Sequence, residues 1–347
     1  MIRLIKKHLS LLIILLSIAI VLIIAFSNQE LENAWEAILS LKASWVLGAF
    51  CCWLVYTGFE SLGTWIYLKG QGFQLPFFRS LAATMTGFFY SNITPSAAGG
   101  QPMQISSLRR SGIPVGYGAT AVTVRFIANQ FVVSLLSLIL FLLHRDFAAA
   151  QLGQKIWFFF LGWLINFGSV PVVLLAATHP SWIRRITEWL IHLLARLHIV
   201  QHPEEAKAKV WETLELYHEA TLQLIHHPGR IMLQMSCSLI SMLGLTGSVI
   251  FVYHAFGLSG TAWYHLLTLS CILFVSASYT PLPGASGAQE GGFLLYFNGL
   301  FTDGTIGLAL LVWRFFTYYL FLLVGIVFTS ADRLIHSARH QNKAASR

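Results

Sequence analysis

The chain has 347 residues, 56% of them hydrophobic and only 10% charged, against about 25% charged in a soluble domain, which excludes a protein whose main solvent is water. Its net charge of +8 would suit nucleic acid, but the basic residues flank apolar runs or gather in one central stretch, so anionic lipid headgroups are the expected partner and nucleic acid is not. Apolar runs long enough to cross a hydrocarbon core, about 20 helical residues, recur from end to end, and 1–347 reads as one integral membrane domain.

In chain order, Arg3, Lys6 and Lys7 precede the apolar run Leu9 to Phe26. Both a signal peptide cleaved near Ala25-Phe26-Ser27 and a retained span fit this pattern, and the length favours a span with its basic end in the cytoplasm. The loop with Glu30, Glu32 and Glu36 then lies outside, and a second span, about Trp45 to Leu68, returns to Lys69 and Arg79. The next apolar stretch, Ser80 to Ser91, is short for a span. It ends in Asn92-Ile93-Thr94-Pro95, passes Ala97-Ala98-Gly99-Gly100 and comes back along Gln101 to Leu108 to the pair Arg109-Arg110. Those charges predict a hairpin that enters and leaves on the cytoplasmic side. A span from near Tyr117 to His144 and another from about Ile156 to Ala177 complete a first half, 1–177.

The stretch 178–229 holds most of the mid-sequence charge and is expected in the cytoplasm. Trp182, Ile186, Trp189, Leu190, Leu193 and Leu197 recur at helical spacing opposite Arg184, Arg185, Glu188 and Arg196. That pattern fits a helix lying in the membrane interface or an ordinary surface helix equally well. A second helix from Pro203 to Pro228-Gly229 reads as a connector. The second half, 230–332, repeats the first: a span from Ile231 to His254, a broken stretch from Trp263 through Thr280-Pro281-Leu282-Pro283-Gly284 to Asn298, and a span from Thr305 to Ser330. With the basic tail 333–347 inside, the second broken stretch must enter and leave from outside. The expected fold is therefore all-α and polytopic, with about six full spans and two re-entrant broken-helix hairpins in an inverted repeat, and with both termini cytoplasmic. The repeat is visible in order: Ser91 to Pro95 with Gly99, Gly100 and Gln101 against Ser278 to Pro281 with Gly287 and Gln289, and Thr123-Val124-Arg125-Phe126 against Val312-Trp313-Arg314-Phe315. Unwound backbone at membrane depth is tolerated where it lines a cavity, the plan of many transporters.

Within the apolar regions the strong charges are Glu60, Arg125, Glu290 and Arg314. Charge at that depth costs several kcal/mol unless it is paired or bound to ligand, so these side chains are expected to face the bundle interior, as structural ion pairs or as a functional site. Arginine offers a planar two-bond fork to a phosphodiester, which makes Arg125 and Arg314 the headgroup-phosphate candidates. Free N–H groups at the helix breaks favour an anion. Gly99, Gly100, Gly284 and Gly287 would let backbone approach a ligand, or serve helix packing. Asn92, Thr94, Gln101, Gln104, Asn129, Gln130, Ser286 and Gln289 are further polar groups near the breaks, as ligand contacts or interhelical bonds. Cys51, Cys52, Cys237 and Cys271 lack zinc-site spacing, so no metal or cofactor is expected. Gly284-Ala285-Ser286-Gly287 resembles the serine motif of intramembrane rhomboid proteases, but the histidines after Ser286 are His336 and His340 in the tail, which argues against a protease.

Taken together, Asn92-Ile93-Thr94-Pro95-Ser96-Ala97-Ala98-Gly99-Gly100-Gln101-Pro102 and Pro281-Leu282-Pro283-Gly284-Ala285-Ser286-Gly287-Ala288-Gln289-Glu290 resemble the transmembrane region of lysylphosphatidylglycerol synthase/flippases, the multiple peptide resistance factor family. The resemblance covers nearly the whole chain. It implies a phospholipid translocase of the bacterial inner membrane, moving aminoacylated phosphatidylglycerol or a related lipid, in a family tied to antibiotic resistance. Full-length members carry a soluble transferase domain that makes lysyl- or alanyl-phosphatidylglycerol. No such domain is expected within these residues, so the resemblance implies the translocation half. The alternative is a membrane subunit working with a separate transferase, a role that would carry the name phosphatidylglycerol lysyltransferase. A second copy of the chain is a further candidate partner.

Overall fold

A computed structural model describes residues 38–178, 227–302 and 304–331, with the single positions 185, 189, 211, 215 and 218. The expected first span, the amphipathic connector and the basic tail lie outside the described residues, apart from those single positions. The described residues are helical, with no strand among them. In chain order they form α1 (Ala43–Gly70), α2 (Phe77–Ile93), α3 (Gly100–Arg110), α4 (Val115–Leu143), α5 (Arg145–Leu152), α6 (Ile156–Thr178), α7 (Pro228–Ala255), α8 (Trp263–Ala277), α9 (Ala288–Tyr296) and α10 (Ile306–Ala331). Five stretches are long and apolar enough to cross a membrane: α1, α4, α5 running into α6, α7 and α10. Between the long helices stand two broken pairs, α2 with α3 and α8 with α9.

Proline sets several of these boundaries. Pro76 and Pro114 precede α2 and α4 in extended backbone, and Pro228 opens α7 at its first turn, where a missing N–H costs nothing. Neither the short α5 nor the π turn at Phe315–Tyr319, one residue past Arg314, was expected from the sequence. A π turn adds a residue to the local helical repeat without changing composition, so hydropathy does not report it.

The most extensive helix contact joins α1 and α7, which run antiparallel. The Lys42 N–H donates to the Ala255 carbonyl at one end (3.1 Å), and Gly70 lies against the Arg230 guanidinium at the other. Small residues allow the approach: a Cβ on Gly244 would lie 2.9 Å from the Cys52 carbonyl oxygen, and one on Gly48 would enter the Phe251 ring. With lipid outside, packing of this kind holds helices together where the hydrophobic effect does not.

Tyr67, Leu68, Leu75, Leu108 and Ile113 form one cluster, with Tyr117 and Ile231 against it. It gathers the C-terminal end of α1, the entry to α2, the exit of α3 and the starts of α4 and α7. At the far end of the bundle, His144 after α4 stacks on Tyr264 of α8 and bonds Thr268 (3.0 Å). Gln151 donates to the Tyr296 and Asn298 carbonyls (3.1 and 2.7 Å), and Phe301 packs on Tyr253. The open ends of the two broken pairs thus belong to opposite clusters. Their breaks meet between them, where the Ser96 N–H donates to the Pro281 carbonyl (2.9 Å).

Candidate functional site

Each break is a strained turn locked by side chains. In the first, the Thr94 hydroxyl donates to the Tyr90 carbonyl (2.6 Å) and accepts from the Gly99 N–H (2.9 Å), tying the end of α2 to the start of α3. Ser96 and Ala97 hold φ of 51° and 54°, and in the second break Ala285 holds 51°. Left-handed backbone at residues with a Cβ costs about 1–3 kcal/mol each and persists only where its surroundings impose it. Gly284 (φ 61°) and Gly287 (φ 87°) take the same region without penalty.

The four intramembrane charges form two pairs. Glu60 of α1 pairs with Arg125 of α4. The other Glu60 oxygen accepts from Asn129 (2.8 Å) and lies 2.9 Å from the Ser241 hydroxyl, which it shares with the Ser238 carbonyl. Arg125 also donates to Gln104 Oε1 (2.9 Å), and its guanidinium faces the Phe88 ring. Glu290 of α9 lies 2.7 Å from Arg314 Nε of α10, an ionic contact without hydrogen-bond alignment. Its second oxygen accepts from the Gly287 N–H (2.6 Å), capping α9. Arg314 donates to the Gly284 carbonyl (3.1 Å) and sits 4.6 Å over the Tyr318 ring, whose hydroxyl reaches the Asn92 carbonyl (3.2 Å). Both carboxylates are wholly buried.

Two cavities adjoin at the breaks. One, of about 500 Å³, is lined by Arg314, Gly284 and Gln289. The other, of about 620 Å³, is lined by Arg125, Gly100, Gln101, Gln104 and Asn129. Asn92, Ser96, Phe274 and Thr317 line both and form the shared wall. Neither Glu60 nor Glu290 reaches a cavity surface; each stands behind its arginine.

A family model described as lysylphosphatidylglycerol synthase TM region matches residues 9–325. The chain belongs to this family. It is similar to a UPF0104 membrane protein of Archaeoglobus fulgidus, 27% identical over 320 residues, which cover 90% of this chain and 94% of the relative. Both breaks and all four paired charges fall within the stretch that the family model matches.

Of the residues expected at the site, Arg125, Arg314, Asn92, Gly100, Gln101, Gly284 and Gln289 line the cavities, while Glu60, Glu290, Thr94, Gly99, Ser286 and Gly287 support them from behind. Of the two roles open to the glycines, packing accounts for three. A Cβ on Gly100 would fall 1.8 Å from the Ser91 hydroxyl, one on Gly284 would fall 2.1 Å from Tyr318 Cε2, and one on Gly99 would fall 2.7 Å from Thr94 Cγ2. The Ser286 hydroxyl donates to the Pro283 carbonyl (2.8 Å). His254 bonds the Leu258 carbonyl and His265 stacks on Phe147, so neither partners that serine. No group of three or more His, Cys, Asp or Glu comes together among the described residues. The sequence reading missed Tyr318, Thr317, Ser241 and Asn166. Tyr318 stands four residues after Arg314, a spacing that puts both on one helix face, and this would have found it. Asn166, buried in α6, accepts from Gln130 (2.8 Å) and bonds Ser278 at the end of α8; an asparagine in an apolar span was signal enough.

Proposed function

We propose that the chain is a phospholipid translocase, in which Arg125 and Arg314 receive the headgroup phosphate in turn as it crosses between the leaflets. The observation that carries this reading is the pair of adjoining cavities, each with one arginine in its wall, sharing a wall where the two breaks touch. A headgroup crossing hydrocarbon needs its charge compensated at every depth, whereas its acyl chains stay in lipid, so a polar groove open sideways suffices. The family's description favours phosphatidylglycerol and its aminoacyl esters, whose common phosphodiester is the part the guanidinium forks would hold.

The same reading makes the broken pairs re-entrant, α2–α3 from the cytoplasm and α8–α9 from outside, in an inverted repeat with about six full spans in the inner membrane and cytoplasmic termini. Lys69, Arg79, Arg109, Arg110 and Arg230 then fall on the cytoplasmic side. The exposed Trp45, Trp157 and Trp263 sit at the outer helix ends, where an aromatic belt meets the headgroups.

In vesicles reconstituted with the purified chain, Arg125→Lys and Arg314→Lys keep the charge and lose the planar fork. Each should slow transfer of fluorescent phosphatidylglycerol between leaflets by about tenfold, the loss of one charge-assisted bond, with folding retained. Lysine variants that fold and transfer lipid at the wild-type rate would refute the arginine relay.

A further inference from the structure

One side chain of α10 ties the two breaks together. Tyr318 is buried, and its ring lies so close to Gly284 of the second break that no Cβ would fit there. Its hydroxyl donates to the Asn92 carbonyl at the first break (3.2 Å), and the Arg314 guanidinium sits over the same ring at 4.6 Å. Asn92 stands in the wall common to both cavities, so the hydroxyl closes on that wall. Tyr318 also belongs to the π turn Phe315–Tyr319, an irregularity that inside α-helices is frequent at functional sites. Arg314, by contrast, is lightly held. One bond joins it to the Gly284 carbonyl, and its contact with Glu290 lacks hydrogen-bond alignment. A phosphate offers that guanidinium stronger, charge-assisted bonds than a neutral carbonyl does. A headgroup at Arg314 therefore competes for the contacts that hold Tyr318 in place.

We propose that Tyr318 is the bolt of the shared wall: its hydroxyl on Asn92 keeps the cavities apart, and a headgroup phosphate drawn onto Arg314 releases it so that they join. Tyr318 is thus a positioning residue, acting through Arg314 and Asn92 and not itself holding the phosphate. Occupancy is linked to opening, and the empty path stays shut. This inference rests on reading the two cavities as a headgroup path and supplies the step between its two arginines.

The test is side-specific labelling of Gln101→Cys, at an exposed position that lines the larger cavity. The full chain is placed in phosphatidylcholine vesicles sorted for one orientation, an impermeant thiol reagent is added outside or enclosed, and the labelled peptide is read by mass spectrometry. With Tyr318 present, the reagent should reach position 101 from one side, the cytoplasmic under the proposed topology, and only weakly from the other. Tyr318→Phe keeps the ring beside Arg314 and Gly284 and loses the hydroxyl alone. It should raise the ratio of far-side to near-side labelling by about fivefold, the loss of one neutral hydrogen bond. Including phosphatidylglycerol in the vesicles should raise the ratio several-fold with Tyr318 in place and little further in Tyr318→Phe. Labelling already equal from both sides with Tyr318 present, or a ratio unmoved in folded Tyr318→Phe, would overturn the bolt. A tyrosine with a structural role alone would lower the unfolding midpoint on substitution and leave the ratio unchanged. If Tyr318→Phe does not fold, the phosphatidylglycerol effect on the chain with Tyr318 decides. Lipid transfer is measured in the same vesicles. A ratio that shifts as expected without transfer supports the bolt and overturns translocation alone; transfer with a ratio that neither Tyr318→Phe nor phosphatidylglycerol moves does the reverse.

Discussion

At the residue scale, the two ion pairs are unequal in their support. Glu60 bonds three side chains from two helices, Arg125 and Asn129 of α4 and Ser241 of α7, and Arg125 in turn ties the group to Gln104 of α3. Removing one charge strands the other in a buried setting, which typically costs about 3–5 kcal/mol, while replacing both is far milder. Glu60→Gln should therefore lower the unfolding midpoint in detergent sharply, and adding Arg125→Gln should restore most of the loss. Additive losses in the thermal scan would mean that the two side chains do not act as a pair. The four charges and their confinement to the interior were legible in the sequence, because intramembrane charge is rare and costly. Which acid meets which arginine was not, since both pairings join residues far apart in sequence and only the packed bundle fixes them.

At the element scale, the breaks were readable from Thr-Pro and Pro-Gly punctuation, and the long helices from their apolar length. The helix ends agree with the sequence reading to within a few residues: Val115–Leu143 against Tyr117 to His144, and Pro228–Ala255 against Ile231 to His254. The π turn and α5 were not readable, because neither changes the pattern of apolar residues. The glycines carry different loads that composition alone does not separate. Gly162 of α6 faces α8 so closely that a Cβ would lie 2.2 Å from the Val275 carbonyl oxygen, whereas a Cβ on Gly58 of α1 meets nothing within 4 Å. Gly162→Ala must push α6 away from a backbone atom and should cost about 1–3 kcal/mol. Gly58→Ala, free of contact in a helix interior, should stabilise by about 0.5–1 kcal/mol. Unfolding midpoints shifted the same way in both variants would contradict this packing.

At the scale of the whole molecule, the arrangement places the open ends of the two broken pairs at opposite ends of the bundle with their breaks in contact. Under the proposed topology, a cysteine replacing the exposed Arg109 at the end of α3 is reached by an impermeant thiol reagent only from the cytoplasm, and one replacing the exposed Asn298 after α9 only from outside. Accessibility in the opposite sense, or both from one side, would rule out hairpins of opposite orientation. Positive-inside counting is what predicts that orientation, whereas the meeting of the breaks was not legible in the sequence, because nothing in either loop alone specifies the distance to the other.

The account stands on the two cavities being one path, and Thr317, in the wall common to both, is where it can be closed. Thr317→Trp fills that wall while leaving both arginine pairs in place. In reconstituted vesicles it should reduce phospholipid transfer between leaflets by at least about tenfold, a barrier increase of about 1.4 kcal/mol, while lipid retention by the folded protein persists. Transfer at the wild-type rate through the folded Thr317→Trp protein would contradict a path through these cavities.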